Sequence, residues 1–508
     1  MKKTLKRLLA VIAVVAIVFS FAGCGSTEKA EGDNITLKWV MAGPGKQKDS
    51  EMVWEKFNEM LQEYMPGVTV DFEILTDSEF NEKWQLMMSS KEDVDIVWTG
   101  YALGSFTDEV NKGAYLPLDD LIKEYGQDMT AELEDWVFDL GKVDNKIYTI
   151  PNYQTMSTSP LGLRTKKELA DKYLDVEKLK ETFNAWETDP AKGQEFFDML
   201  AEYFQKLMDN GELGKGAGVG TLGNYEHTQK NDKTTVKDFS IDTETMQVFF
   251  DYETEDRQLW YKNVNDWYKK GYVRKDILSV QNPAIDEVKN GYILWDHVVY
   301  DEDRAAMETE MHGVPIEVIP LGKDWIIKNT VPPTGTSIAS TSKNPEKAME
   351  LINLINSKKG IELYNLLTYG IEGQHYEKIG ENRIKVFDYV QQGTSDSAYG
   401  LWKWAVGNTL NAWELEADRE GLSEYVKTLD SNALTLPTLG FKPDTTDVTT
   451  ELSQINAVVK EYKETLGYGV AEDWEAVYNE FMQKVEAAGM SKVKAHIQKQ
   501  LDEFLAAK

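Results

Sequence analysis

The chain has 508 residues, of which 42% are hydrophobic, and its 86 acidic residues outnumber its 55 Lys and Arg for a formal net charge of −31. A surface this acidic repels phosphate backbones, which argues against nucleic-acid binding and against a polyanionic ligand. The length predicts two or more domains, and the apolar fraction is sufficient for each to bury its own core.

The N-terminus has the pattern of an export signal. Four basic residues lie within the first seven positions, and an apolar run from Leu8 to Ala22 follows. That run has about 15 residues, whereas a helix needs roughly 20 to span a bilayer. A basic start, a short apolar centre and small residues before a cleavage point predict a secretory signal peptide over residues 1–23.

Cys24 is the only cysteine of the chain, so it has no partner for an intramolecular disulfide. The stretch Phe21-Ala22-Gly23-Cys24 resembles the lipobox of bacterial lipoproteins, in which cleavage leaves the cysteine as a lipid-modified first residue. The small, polar residues after it predict that 24–34 is the lipidated cysteine with a flexible tether. The alternative is a buried, inert cysteine in an ordinary signal anchor.

Strands alternate with helices in the next part of the sequence. Strands are predicted for ITLKWVM, VTVDFEIL and VDIVWTG, and helices for the intervening SEMVWEKFNEMLQEYM and EFNEKWQLMMSS. This order predicts a parallel sheet with covering helices. Ligands of such sheets bind beyond the carboxyl ends of the strands, so the loops AGPGKQK and TGYALGSF are the first candidates for ligand contact.

Several longer segments resemble extracellular solute-binding proteins of sugar-type ABC importers. The early part is similar over DIVWTGYALGSFTDEVNKGAYLPLDDLIKEYG, and later parts over KVDNKIYTIPNYQTMSTSPLGLRTKKELADKY and TSIASTSKNPEKAMELINLINSKKGIELYNLLTYGIEGQHYE. The C-terminal stretch, from GLWKWAVGNTLNAW onward, looks like the lipoprotein LplA-like subgroup. Together these segments cover most of the mature chain.

The resemblance implies an α/β, bilobed type II periplasmic-binding-protein fold, with crossing segments between two α/β lobes. Crossings are expected near Ile150–Gln154, within Pro315–Pro333 and near Tyr369–Tyr376. The expected division is as follows: 35–151, lobe 1 first part; 152–320, lobe 2 first part; 321–372, lobe 1 second part; 373–508, lobe 2 second part with the LplA-like C-terminal region.

Two helix predictions come from the residues alone. Asn344 before Pro345 marks a helix start, with Asn as N-cap and Pro at the first helical position. The C-terminal 37 residues predict two amphipathic helices, the last one with an apolar stripe. That stripe consists of Val493, Ile497, Leu501 and Phe504.

A sugar presents apolar C–H faces and hydroxyl edges, so its site needs aromatic side chains beside planar hydrogen-bonding groups. Trp402 and Trp413 are 11 positions apart, close to three helical turns, and would share a face of one helix. The alternative for every candidate is ordinary packing in the core. The candidate ligand-binding residues are Thr99, Tyr101, Asn152, Tyr153, Gln154, Trp295, Asp296, His297, Trp402, Asn408 and Trp413.

The resemblance implies a monomeric receptor on the extracellular face of the cell membrane, of the Gram-positive type. It would capture a carbohydrate, an oligosaccharide being favoured, between two closing lobes and deliver it to the permease of an ABC importer. No catalytic residue, metal or organic cofactor is implied. Three alternatives remain: a receptor of the same fold for a peptide or other small polar solute, a surface glycoside hydrolase, and a structural surface lipoprotein.

Overall fold

The structure, a computed structural model, divides into two lobes that each surround an apolar core. Lobe 1 contains the predicted β-α-β-α-β unit, and lobe 2 contains most of the C-terminal helices. The residues that the structure describes are 34–100, 106–158, 161–213, 231–233, 236–279, 297–299, 304–321, 327–328, 334–387, 390 and 394–508.

The strands are short apart from the first two. They are β1 (Ile35–Ala42), β2 (Val68–Leu75), β3 (Ile96–Gly100), β4 (Lys142–Val143), β5 (Lys146–Ile147), β6 (Ile150–Pro151), β7 (Ser157–Thr158), β8 (Leu161–Lys166), β9 (Asn231–Lys233), β10 (Phe239–Asp242), β11 (Val248–Phe250), β12 (His297–Val299), β13 (Ile316–Leu321), β14 (Ile327–Lys328), β15 (Thr334–Ile338), β16 (Tyr376–Lys378), β17 (Arg383–Val386) and β18 (Glu414–Leu415).

The helices range from one turn to five. They are α1 (Ser50–Leu61), α2 (Asp77–Ser90), α3 (Phe106–Asn111), α4 (Asp119–Tyr125), α5 (Gln127–Thr130), α6 (Asp135–Asp139), α7 (Lys167–Tyr173), α8 (Val176–Trp186), α9 (Ala191–Asp209), α10 (Glu255–Lys270), α11 (Arg304–His312), α12 (Pro345–Ile355), α13 (Ile361–Tyr369), α14 (Lys403–Val406), α15 (Leu422–Asn432), α16 (Thr449–Gly467), α17 (Trp474–Ala487) and α18 (Met490–Ala507). Over the described ranges, no helix combines the length and the apolar character that crossing a membrane requires.

Lobe 1 is built on a five-stranded mixed sheet with the strand order β2-β1-β3-β15-β6. Strand β1 pairs in parallel with β2 and β3, and β15 runs antiparallel to β3 and β6. The inner strands are buried on both faces, as expected for a sheet covered by helices. Helix α1 buries Val53, Phe57 and Leu61 against this sheet, so the predicted β-α-β-α-β unit is confirmed.

Lobe 2 combines two three-stranded sheets, β12-β8-β13 and β11-β10-β9, with long helices. Its core is rich in aromatic residues such as Phe197, Trp260 and Trp267. The two predicted C-terminal helices are α17 and α18, and Val493, Ile497 and Leu501 on α18 are fully buried. In lobe 1, helix α12 begins at Pro345 as predicted, although the Asn344 side chain makes no capping hydrogen bond.

Two chain crossings connect the lobes through β7 and β14. The chain leaves the lobe 1 sheet after β6, forms β7 and enters lobe 2 at β8, and it returns through β14 between β13 and β15. Strands β7 and β14 pair antiparallel, with Ser157 opposite Lys328. We call this pair of strands the crossing ribbon.

The third crossing differs from the prediction, which placed it near Tyr369–Tyr376. Leu439 packs in the lobe 1 core, and Phe441 packs in the lobe 2 core, so the chain crosses between these two residues. The segment before it folds back onto lobe 1: the Tyr399 hydroxyl donates to the Leu367 carbonyl over 2.8 Å. The expected boundary at residue 373 is therefore too early, because this segment packs against α13 instead of leaving the lobe.

Candidate ligand-binding site

The carboxyl ends of several lobe 1 strands meet at one edge of the sheet. Strands β3 and β6 end there, and the antiparallel strand β15 begins there, with Thr334 paired to Gly100 and Gly335 paired to Pro151. The crossing ribbon leaves from the same edge, so this edge is adjacent to the junction of the lobes. Binding sites of open α/β sheets are expected in this position.

A hydrogen-bond network fastens the segment around α14 to this edge. The Asn152 side chain is fully buried, and its amide donates to the carbonyl oxygens of Trp404 at 3.1 Å and Ala405 at 3.3 Å. Its own oxygen accepts from the Thr336 hydroxyl at 2.8 Å. Every polar atom of this amide is engaged, so Asn152 fixes the position of Trp404.

Gln154 and Thr334 extend this network toward the surface. The Thr334 hydroxyl donates to the Trp404 carbonyl at 3.0 Å, and the Gln154 amide donates to the Thr334 hydroxyl at 3.2 Å. Gln154 is half-buried, unlike Asn152. A partly exposed amide held next to an aromatic ring is the kind of group that binds a sugar hydroxyl.

Three tryptophans meet at the same place. Trp402 and Trp404 stack with ring centroids 4.9 Å apart and planes inclined by 20°, and Trp404 lies 6.3 Å from Trp98. Trp98 is fully buried, whereas Trp402 and Trp404 are only half-buried. The stack therefore rests on the lobe 1 core and presents part of its aromatic surface outside it, as a platform for a sugar ring would.

A cavity of about 230 Å³ lies beside this stack, lined among others by Gln154, Thr155, Trp404 and Ser423. It is smaller than the roughly 300–1,000 Å³ of most small-molecule pockets, so it would hold one small unit of a larger ligand. The wall of the cavity also includes the Glu414 carboxylate, which accepts the backbone N–H of Leu422 at 2.8 Å.

Three of the predicted ligand residues have side chains that are already engaged inside the fold. Thr99 is buried, and its hydroxyl lies 2.9 Å from that of Thr149. The buried Asn408 caps a short 3₁₀ turn by accepting the Leu410 N–H at 3.1 Å. Tyr153 is buried with its hydroxyl on Asp430, and burial, followed by that carboxylate, raises the pKa of the phenol far above its ordinary range.

The prediction that Trp402 and Trp413 share one helix is wrong. Helix α14 has only four residues and ends before Gly407, where a Cβ atom would lie 2.8 Å from the Asn356 side-chain oxygen. This close approach draws the chain away from a helical path. Trp413 instead packs edge-on against Tyr376 at 5.5 Å, in a small cluster of its own, and it also lines the cavity beside Trp404.

Trp404 is not among the predicted site residues, although the structure places it between Trp98 and Trp402. The available signal in the sequence was a pair of tryptophans separated by one residue. This segment does not follow the predicted helical spacing, because its first residues are extended, with Trp402 at φ −70° and ψ 112°.

Most of the other predicted site residues lie outside the part of the chain that the structure describes. Cys24, Tyr101, Trp295 and Asp296 lie outside the described residues, and they stay predictions. The backbone of His297 lies on β12 opposite Leu163. Within the described ranges, no three His, Cys, Asp or Glu side chains are grouped so that they could hold a metal ion.

Comparison with known proteins confirms the resemblance to solute-binding proteins. Residues 437–506 match a family model described as a domain of unknown function, DUF3502. The chain is 26% identical to a carbohydrate ABC transporter substrate-binding protein of Streptococcus pneumoniae, over 99% of both chains.

Solved structures of sugar-binding proteins share the fold. The N-glycan transport solute-binding protein NgtS of Streptococcus pneumoniae is 24% identical with a TM-score of 0.72, over 93% of this chain and 99% of that one. The structure of its complex with Man5GlcNAc shows 24% sequence identity and a TM-score of 0.65, over 93% of this chain and 99% of that one. An extracellular solute-binding protein of Bifidobacterium longum subsp. infantis shows 12% sequence identity and a TM-score of 0.59, over 94% of this chain and all of that one. The bilobed type II fold is thereby confirmed.

Proposed function

We propose that this chain, a full-length relative of a carbohydrate ABC transporter substrate-binding protein, is the receptor of a carbohydrate importer. It captures an oligosaccharide between its two lobes and delivers it to the permease. The observation that carries this proposal is the half-buried stack of Trp402 and Trp404 at the carboxyl edge of the lobe 1 sheet, next to the crossing ribbon. An apolar platform in this position fits the C–H face of a sugar ring.

In the proposed mechanism, lobe 1 provides the platform and Gln154 provides a hydrogen-bonding group beside it. Five of the predicted ligand residues act mainly by supporting the site, because their side chains are buried and make contacts within the fold. They are Thr99, Asn152, Tyr153, Asn408 and Trp413. We also assign ligand contacts to Tyr101 and to the segment Trp295–His297. Closure follows because the ligand binds the closed arrangement more tightly than the open one and shifts the population toward it.

The ligand class we favour is a neutral oligosaccharide that contains mannose and N-acetylglucosamine. The support is the full-length similarity to NgtS, whose complexes contain Man1GlcNAc and Man5GlcNAc. The net charge of −31 also favours a neutral ligand over an anionic one. A receptor of the same fold for a peptide is the second candidate, because charge does not discriminate against peptides.

We further propose that the receptor is a monomer anchored to the outer face of the cell membrane by a lipid on Cys24. The tether of residues 24–34 would leave the lobes free to move and to dock on the permease. The receptor would return its ligand chemically unchanged, in contrast to a surface glycoside hydrolase, since delivery to a permease requires an intact sugar.

The test is thermal unfolding of protein that starts at Gly25, in the presence of Man1GlcNAc, Man5GlcNAc, unrelated neutral oligosaccharides and short peptides. A ligand that binds only the folded state at one hundred times its Kd stabilises it by about 2.7 kcal/mol. We expect a saturable stabilisation by a carbohydrate. A flat response to every carbohydrate, with stabilisation by a peptide, would overturn the carbohydrate assignment.

A further inference from the structure

The crossing ribbon is bound to lobe 1 by a buried carboxylate. Asp430 lies near the end of α15 and has no exposed surface. Its two oxygens accept the backbone N–H of Met156 at 3.1 and 2.9 Å, and one of them accepts the Ser157 hydroxyl at 2.5 Å. Met156 and Ser157 lead into and begin β7, so this carboxylate holds the strand directly.

The second strand of the ribbon is held by the same end of α15. The Lys328 N–H on β14 donates to the Leu434 carbonyl at 2.8 Å. The Lys328 ammonium lies 4.5 Å from the centre of the Trp136 ring, and Trp136 packs against the lobe 1 core. Both strands are thus attached to lobe 1, one through Asp430 and the other through Leu434.

A further contact joins α15 to the body of lobe 1. The Glu134 carboxylate accepts the Ser431 hydroxyl at 2.7 Å and the indole N–H of Trp136 at 3.0 Å. Ser431 is the neighbour of Asp430, so the end of α15 is fixed on both sides. The arrangement is a brace between the lobe 1 body and the ribbon.

We propose that Asp430 is a positioning residue for lobe closure, one that makes the crossing ribbon move as part of lobe 1. Lobe 2 then turns relative to the ribbon, and the stretch from Asn152 to Ser157 does not bend. The role in closure rests on the proposed function, whereas the attachment of the ribbon does not. A polar group buried this deeply is costly unless its hydrogen bonds are made, which fits a specific structural role.

The chemistry at Asp430 requires an acceptor. Two donors, the Met156 N–H and the Ser157 hydroxyl, converge on it, and the Tyr153 hydroxyl is a third. Burial raises the pKa of the Asp430 carboxyl, and these donors oppose that change. Asparagine has nearly the same shape but would direct an NH₂ group toward one of these donors. Asp430→Asn therefore tests the acceptor, and Asp430→Ala tests the whole contact.

The first measurement is hydrogen exchange of the peptide that covers residues 150–158, on ligand-free protein starting at Gly25. We expect exchange at Met156 and Ser157 to be at least tenfold faster in Asp430→Ala, and intermediate in Asp430→Asn. The matched control is Glu424→Ala, which removes an exposed carboxylate from the same helix and should change nothing. Unchanged exchange in a folded Asp430→Ala protein would overturn the proposal.

The second measurement follows the lobes themselves. Protein that starts at Gly25 has no cysteine, so Glu55→Cys on lobe 1 and Lys499→Cys on lobe 2 would accept dyes at exposed sites only. We expect the dye-to-dye distances of the ligand-free protein to spread more widely with Asp430→Ala than without it. An unchanged distribution would overturn the role in positioning. If Asp430→Ala does not fold, Ser157→Ala removes one donor and should widen the distribution less.

These outcomes separate the brace from the proposed function. Altered exchange and distances, without stabilisation by any carbohydrate, would support the brace and overturn the carbohydrate receptor. Stabilisation by Man5GlcNAc with unchanged exchange would do the opposite.

Discussion

Truncation of Trp404 should weaken carbohydrate binding as well as the fold. The indole stacks on Trp402 with ring centroids 4.9 Å apart and lies 6.3 Å from the Trp98 ring, and most of its surface is covered. Covering roughly two thirds to nine tenths of a side chain of about 200 Å² corresponds to about 3–4.5 kcal/mol at about 25 cal/mol per Å². Trp404→Ala should therefore lower the free energy of unfolding by about 4 kcal/mol.

We expect a separate loss of carbohydrate affinity in the folded variant. Truncation of a central aromatic anchor typically weakens the binding free energy by about 2 kcal/mol or more, which corresponds to about a 30-fold increase in Kd. Trp404→Phe keeps a ring at the same position and should retain most of the binding. Titration calorimetry with a carbohydrate that stabilises the wild-type protein measures both variants.

The matched control is Trp474→Ala. Trp474 is also half-buried and has a tilted aromatic neighbour, Tyr478 at 6.4 Å, but it lies on α17 in lobe 2. Its removal should leave Kd within about twofold, by the independence of distant sites. The reasoning would be refuted if folded Trp404→Ala bound the carbohydrate as tightly as wild type, or if both variants lost affinity equally.

Three further predictions concern the fold and the anchor. Gly370→Ala should destabilise the protein by about 2–4 kcal/mol, because Gly370 has φ +85° and a Cβ atom would lie 2.5 Å from the His375 ring nitrogen. Denaturant titration measures this loss. The control, Gly373→Ala, has φ +77° with open space around it and should cost less. Burial lowers the pKa of His375 below its usual 6.5, with Asp49 opposing, so the unfolded chain takes up the proton first. The stability contributed by His375 is thus present above about pH 6.5 and is lost as the pH falls through the folded pKa. Between about pH 7.5 and about pH 5, the melting temperature should fall less in His375→Asn than in the wild-type protein. An equal fall in both proteins would contradict this role of His375. Cys24→Ser should abolish incorporation of labelled palmitate in a bacterial host, and retained label would exclude Cys24 as the lipid site.

The parts of the fold that the sequence predicted correctly are those with regular periodicity and deep burial. Helix α1 places Val53, Phe57 and Leu61 on one face, and α18 repeats the pattern with Val493 and Ile497. Such stripes reveal the helix and its buried side together, because apolar burial dominates the energetics of these elements.

The errors arose where the chain lacks regular elements. Tertiary contacts decide the path after α13: the Tyr399 hydroxyl binds the Leu367 carbonyl, and Gly407 approaches Asn356 too closely for a larger residue. Neither contact leaves a periodic pattern in the sequence. The same holds for Asp430, since its donors lie more than 270 positions earlier in the chain.

Some of the predicted residues lie at the candidate site, and others are used by the fold. Gln154 and Trp402 lie near the carboxyl edge of the sheet. Asn152 and Thr99 are also there, but their polar groups are used by the fold. Residue type and position along a strand do not reveal whether an amide faces a ligand or a neighbouring carbonyl.

The most direct test of the central proposal is a calorimetric titration of protein starting at Gly25 with Man5GlcNAc, followed by mass analysis of the recovered sugar. We expect saturable binding at one site, with a negative heat-capacity change from burial of the aromatic platform, and a sugar of unchanged mass. Absence of binding to Man5GlcNAc and to every other oligosaccharide would contradict the assignment of a carbohydrate receptor. A shortened sugar would contradict the assignment of a transport protein.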